Sequence, residues 1–233
     1  MHVLIVYAHP DPMSFNAALK NAAVETIIGS GHTVEVSDLY AQNFMPAAGP
    51  ADFTSLSDAS HFHYQAEQLS AAMHEGFSED LKREQDRLLR ADLLILQFPL
   101  WWGGPPAILK GWFDRTCAYG VAYVDGRRFE TGLFNGRRSI VSVTTGGSPQ
   151  RFSTSGGYGL IDKVLWPVEQ LFLRYLGYEV LEPYVCYATH RVEAETRRDY
   201  LRLWKKRLTE ILDAKTPEVK LEELSSSLGV CRA

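Results

Sequence analysis

Short, unbroken apolar runs constrain this chain more than any other feature. They lie at 3–7 (Val-Leu-Ile-Val-Tyr), 33–36, 93–97, 139–143 and 180–185. A strand solvated on one face alternates apolar and polar residues. A continuous β-branched and aliphatic run belongs to a strand covered on both faces. Helical patterns separate the runs. Residues 16–28 start behind Ser14 and Asn16, both capping types, and end near Gly29. Residues 64–90 are long and charge-rich. Residues 105–116 open on Pro105 and Pro106, where a missing N–H is tolerated. Residues 160–176 and 193–213 complete the set. Strands alternating with helices predict an α/β fold: a doubly wound, parallel five-stranded sheet with helices on both faces. Residues 44–61 read as an irregular excursion. The domain is expected to span 1–215, with 216–233 as a polar tail.

Composition narrows the function. A hydrophobic content of 45% over 233 residues suits one domain with a real core. The net charge of −4 gives no support for a nucleic-acid partner. No apolar run approaches a membrane span, and the N-terminus enters a strand without the basic start of a signal peptide. Cys117, Cys186 and Cys231 have no metal-type spacing and leave an odd thiol, which fits a reducing compartment. The expectation is a soluble, cytoplasmic protein without a metal site.

Three segments carry chemistry. Residues 97–112 (Gln-Phe-Pro-Leu-Trp-Trp-Gly-Gly-Pro-Pro-Ala-Ile-Leu-Lys-Gly-Trp) follow the third strand. Tryptophan faces stack on a flat conjugated ring, and glycines let backbone N–H groups come close. Taken alone, the segment is equally a buried turn with core tryptophans. After the first strand come Tyr7-Ala8-His9-Pro10-Asp11-Pro12-Met13-Ser14-Phe15-Asn16 and a helix. There is no G-x-G-x-x-G, so a dinucleotide-type turn is disfavoured. A capped helix N-terminus still offers backbone N–H groups to a phosphate, though the segment alone reads as well as a simple helix start. After the fourth strand, Thr144-Thr145-Gly146-Gly147 can bond the polar edge of a heterocycle, or be a plain turn. All three follow carboxyl ends of strands, where open α/β sheets bind ligands. A phosphate loop, an aromatic loop and a polar-edge loop around one crevice describe a flavin site.

On these residues the chain resembles the NAD(P)H:quinone oxidoreductases, the DT-diaphorase family with a flavodoxin-like fold. The matching segments are Ala8-His9 with Ser14-Phe15-Asn16, Ser37 to Tyr40, Gln97 to Leu100 with Trp102, Pro106 to Trp112, Thr144 to Gly147, Leu165-Trp166-Pro167 and Trp204 to Leu208. They fall in order across residues 1 to about 213. The resemblance implies an FAD held by His9, Ser14, Phe15 and Asn16, with Arg197 at the pyrophosphate. It implies a ring lying on Pro99, Leu100, Trp101 and Trp102 and bonded by Thr144, Thr145, Gly146 and Gly147. His63 stands where relatives carry Gln or Asn, and keeps a donor for a phosphate oxygen. Tyr123 matches a substrate-facing aromatic, Asp125 replaces a second one, and Tyr175 matches an aromatic supplied by the partner of a homodimer.

The chain also departs from the family. Ungapped spacing puts Phe152 and Tyr158 where relatives place a Tyr and a His beside the ring. Phe152 has no hydroxyl. Tyr158 donates a hydrogen bond, but a phenol is a weaker proton source than an imidazolium. Gly103, followed by Gly104, replaces an aromatic and opens the pocket ceiling. The two His positions of a metal site in some relatives read Gln170 and Arg174. His74 and His190 read as surface residues. The leading expectation is an FAD-dependent, two-electron NAD(P)H:acceptor oxidoreductase that takes NADH or NADPH and then a quinone-like acceptor, by ping-pong kinetics. The alternatives are azo or nitro reduction with the same flavin (FMN being the less favoured cofactor), a flavoprotein regulatory subunit of a potassium-efflux system, and a flavodoxin-like electron carrier.

Overall fold

A computed structural model describes residues 1–214. The strands are β1 (His2–Tyr7), β2 (Thr33–Asp38), β3 (Leu93–Pro99), β4 (Arg138–Thr144), β5 (Glu179–Val180) and β6 (Tyr184–Cys186). All pair in parallel, in the order β2-β1-β3-β4-β5, with β6 also beside β4. The predicted fifth strand is thus two short ones. β5 pairs with Arg138 and Ser139 at the start of β4, and β6 pairs with Ser142 to Thr144 at its end. Pro183, between them, has no N–H to give a ladder.

The central strands are buried on both faces, which is why their sequences do not alternate. Val3, Ile5, Tyr7, Leu93 and Ile95 pack on α1 (Phe15–Gly29) and α6 (Ala194–Asp213). Leu4, Val6, Leu94, Leu96 and Phe98 pack on α3 (Glu79–Arg90), α4 (Ala107–Thr116) and α5 (Ile161–Val168). Full burial of each such aliphatic stabilises by about 1.5–3 kcal/mol. Buried indoles find acceptors. Trp204 Nε1 donates to the Leu19 carbonyl at 3.2 Å and Trp112 Nε1 to Glu84 at 2.9 Å.

The long charged segment predicted over 64–90 is broken into α2 (Tyr64–His74) and α3. Glu75 caps α2 in the left-handed region at φ 56°. Phe77 then forms a β-bridge with Phe53 and is buried with it. The excursion over 44–61 is therefore anchored in the core. Its Asp52 is paired with Arg115 of α4 at 2.7 Å, and both are nearly fully buried. Beyond Pro167, which lacks the N–H that a continuing α-helix uses, α5 widens into a π-helical segment, Glu169–Arg174. No described helix is long and apolar enough to cross a membrane.

Candidate active site

The parallel register brings the carboxyl ends of β1, β3 and β4 to one edge: Tyr7 lies opposite Gln97, and Pro99 opposite Thr144. Two adjoining cavities open there, of about 620 and 600 Å³, and both are lined by Leu100, Thr145 and Gly146. They form one groove.

The first half is built on the loop between β1 and α1. Ser14 caps α1, its Oγ accepting from the Ala17 N–H at 3.1 Å. Phe15 and Asn16 N–H have no acceptor among the described residues, as expected of a first helical turn. His9 Nδ1 accepts from the Asp11 N–H at 3.0 Å, so the neutral ring carries its proton on Nε2, a donor. Arg197 of α6 lines the same half, its Nη1 donating to the carbonyls of Thr189 and Val192. Trp101 also faces this half, its ring centroid 6.2 Å from that of His9.

Asn16 departs from its expected role. Its side chain is buried and bridges the ends of β3 and β4, accepting from Gln97 Nε2 at 2.8 Å and donating to Thr144 Oγ1 at 2.7 Å. Its amide side chain ties the floor together, and only its backbone N–H is left for a ligand. Gln97 was read in the motif without a role of its own. Its signal was a lone amide at the end of a buried run, which must be paired.

The second half lies between the aromatic turn and the loop after β4. Trp101 and Gly104 bond each other's backbones at 3.0 Å in both directions. Trp102 (φ 50°) and Gly103 (φ 76°) form the tight turn between them. Gly adopts this backbone freely, whereas Trp102 pays of order 1–2 kcal/mol for it. The turn leaves Trp102 fully exposed at the rim. Opposite, Thr145 Oγ1 donates to the Gly147 carbonyl at 2.7 Å, and Leu100 N–H to the Thr144 carbonyl at 2.8 Å. Gly146 and Gly147 N–H have no acceptor among the described residues. Phe152 and Tyr158 meet beside this loop, with ring centroids 5.2 Å apart. A Cβ on Gly147 would sit 2.9 Å from a ring carbon of each, so any larger residue there requires one of the rings to move. Arg151 and Arg191 line this half too, and neither was singled out in the sequence. Beneath the loop, burial pushes the Cys186 thiol up to about 12, which removes it as a nucleophile at neutral pH.

Four predicted residues lie elsewhere. Tyr123 and Tyr175 touch each other at 6.1 Å between ring centroids and line a separate, more apolar cavity of about 840 Å³, beside Phe113, Phe172 and Leu171. Burial raises the Tyr123 phenol above its ordinary value. Asp125 is exposed in the adjoining turn. His63 caps α2, its Nδ1 accepting from the Ala66 N–H at 3.2 Å. His190, read as a surface residue, is exposed but lines the first half of the groove.

A parallel sheet in this order, with its crevice at the strand ends, defines a flavodoxin-like protein, and the flavodoxin-like fold family matches residues 1–208. NAD(P)H dehydrogenase (quinone) 1 of Cavia porcellus is 42% identical over 211 residues, 90% of this chain and 77% of that protein. Ribosyldihydronicotinamide dehydrogenase (quinone) of Homo sapiens is 40% identical over 210 residues, 90% of this chain and 91% of that protein. Among solved structures, a candidate quinone reductase of Klebsiella pneumoniae superposes with a TM-score of 0.88 at 38% identity, covering 93% of this chain and 86% of that one. The chain belongs to the NAD(P)H:quinone oxidoreductases, within the flavodoxin-like fold family.

Proposed function

We propose that the chain is a flavin-dependent, two-electron NAD(P)H:quinone oxidoreductase, and that its flavin is FAD. The observation that carries the reading is the groove itself. Unpaired N–H groups and a cation stand at one end, and an aromatic turn faces a glycine loop at the other. The residues suit such a cofactor. His9, Ser14, Phe15 and the Asn16 backbone, with Arg197, would hold its phosphates. Pro99, Leu100, Trp101, Trp102 and Gly103 would hold its ring against Thr144, Thr145, Gly146, Gly147 and Phe152. Once bound, the cofactor supplies two-electron hydride chemistry.

The protein's own part is positioning, charge stabilisation and exclusion of water. Gly146 and Gly147 N–H are donors fixed in place before the reaction, at no cost in reorganisation. Tyr158 adds a hydroxyl donor, while Phe152 holds that ring in place and donates nothing. Donor and acceptor share the face between Trp102–Gly103 and Tyr158, so they bind in turn. Tyr123, Asp125 and Tyr175 lie outside their own groove, so in this reading they serve the acceptor site of a second copy, in a homodimer. His63 likewise reaches a phosphate only across that interface. Residues 1–215 form the catalytic domain. The proposed tail, 216–233, lies outside the described residues.

Anaerobic double-mixing stopped flow tests the activity. NADH or NADPH should bleach the flavin band, and a quinone added next should restore it with no donor present. Failure of both donors to bleach a flavin-loaded protein would contradict the reading.

A further inference from the structure

The second half of the groove is locally cationic in a chain whose net charge is −4. Arg151 sits in the short turn Pro149–Phe152, and Arg191 ends the turn after β6. Both side chains line the groove beside Gly147 and Tyr158, and no carboxylate among the described residues lines it with them. The Arg151 guanidinium lies over the Tyr158 ring, 5.7 Å from its centroid. Arg191 Nε donates to His190 Nε2 at 3.0 Å. Neither arginine makes an ion pair among the described residues. Two unpaired guanidiniums at the mouth of a partly apolar slot raise the local concentration of anionic aromatics and offer them forked, charge-assisted hydrogen bonds.

We propose that Arg151 and Arg191 make this groove selective for flat aromatic substrates that carry an anionic group, a carboxylate, sulfonate or phosphate. The anion has two possible sources: an acidic substituent on the acceptor, or a phosphate of the nicotinamide donor. The proposal rests on the reading of the groove as the substrate slot. Its primary test is equilibrium binding, so it can fail or hold independently of turnover.

The probes are 1,4-naphthoquinone-2-sulfonate and neutral 1,4-naphthoquinone, titrated into the purified protein with tryptophan quenching as the signal. Trp102 supplies that signal at the rim. The parent protein should bind the sulfonate about tenfold tighter than the neutral quinone, and the preference should shrink toward unity at ~1 M salt, where screening acts within ~3 Å. Arg151→Gln with Arg191→Gln should abolish the preference, and Arg191→Lys should keep part of it. A donor arm compares KM for NADPH, NADH and uncharged N-benzyl-dihydronicotinamide. If the anion is the donor's phosphate, the double variant raises KM for NADPH and NADH relative to the neutral donor. If it belongs to the acceptor, only the sulfonate ratio moves. Equal binding of both quinones by the parent, with no donor discrimination, overturns the proposal. So does loss of flavin from the double variant, since the two arginines would then hold the cofactor. Both residues are exposed, so the variants should melt like the parent, and flavin content and melting temperature serve as controls.

Discussion

Phe152 and Tyr158 share one corner of the groove with Gly147, their ring centroids 5.2 Å apart. If the Tyr158 hydroxyl stabilises charge on the reduced cofactor, Tyr158→Phe should slow bleaching by NAD(P)H about tenfold in stopped flow, with flavin content unchanged. That loss is smaller than the ~10²–10³ typical of a fixed oxyanion donor, because water substitutes at a half-exposed site. Phe152→Tyr should hold or raise the quinone rate. An unaltered Tyr158→Phe rate would leave Gly146 and Gly147 N–H as the stabilisers. Gly147→Ala is the sharper steric test. Its Cβ would meet ring carbons of Phe152 and Tyr158 at 2.9 Å, so one ring must move. Overpacking of this kind costs ~1–3 kcal/mol. A lowered urea midpoint together with lost activity should follow, and a variant with both unchanged would show that the corner is loose.

Between elements, the Gln97–Asn16–Thr144 chain joins β3, α1 and β4 directly beneath the groove. Thr144→Val keeps the shape and removes the acceptor of the Asn16 amide. An unsatisfied buried donor costs ~1–3 kcal/mol, to be read from urea unfolding; an unshifted midpoint would mean that another group takes up the bond. This tie shows what the sequence could convey and what it could not. Strand positions were legible because burial on both faces leaves unbroken apolar runs. The three loops were legible because strand ends in a parallel sheet share an edge. The break at Glu75 and Gly76 was written locally, in Gly76 past the end of α2 and Ser78 at the N-cap of α3, but the charged pattern on both sides reads as one helix, and the Phe53–Phe77 bridge then fixes the break in the core. The split of the last strand was legible only in hindsight, from Pro183. Asn16 read as a ligand contact because capping and ligand-binding residues are the same types, and only the distances assign its side chain to the floor. Arg151 and Arg191 carry no motif; their role comes from sharing one half of the groove.

For the whole molecule, the separation of Tyr123 and Tyr175 from the groove is the telling feature. Both line an apolar cavity on a face where Trp166 and Leu171 are about half exposed. Light scattering at micromolar concentration should give a homodimer's mass. Tyr175→Asp should weaken the dimer and the acceptor rate together, whereas a fully active monomer would remove the two-copy site. The central claim is that three loops at the strand ends build one flavin groove with Arg197 at its phosphate end. The most direct test is the absorbance and mass of whatever the purified protein, reconstituted if necessary, releases on denaturation. The account predicts a yellow protein that yields about one FAD per chain. Release of FMN alone would contradict the role of Arg197, and a chain that holds no flavin after reconstitution would contradict the groove itself.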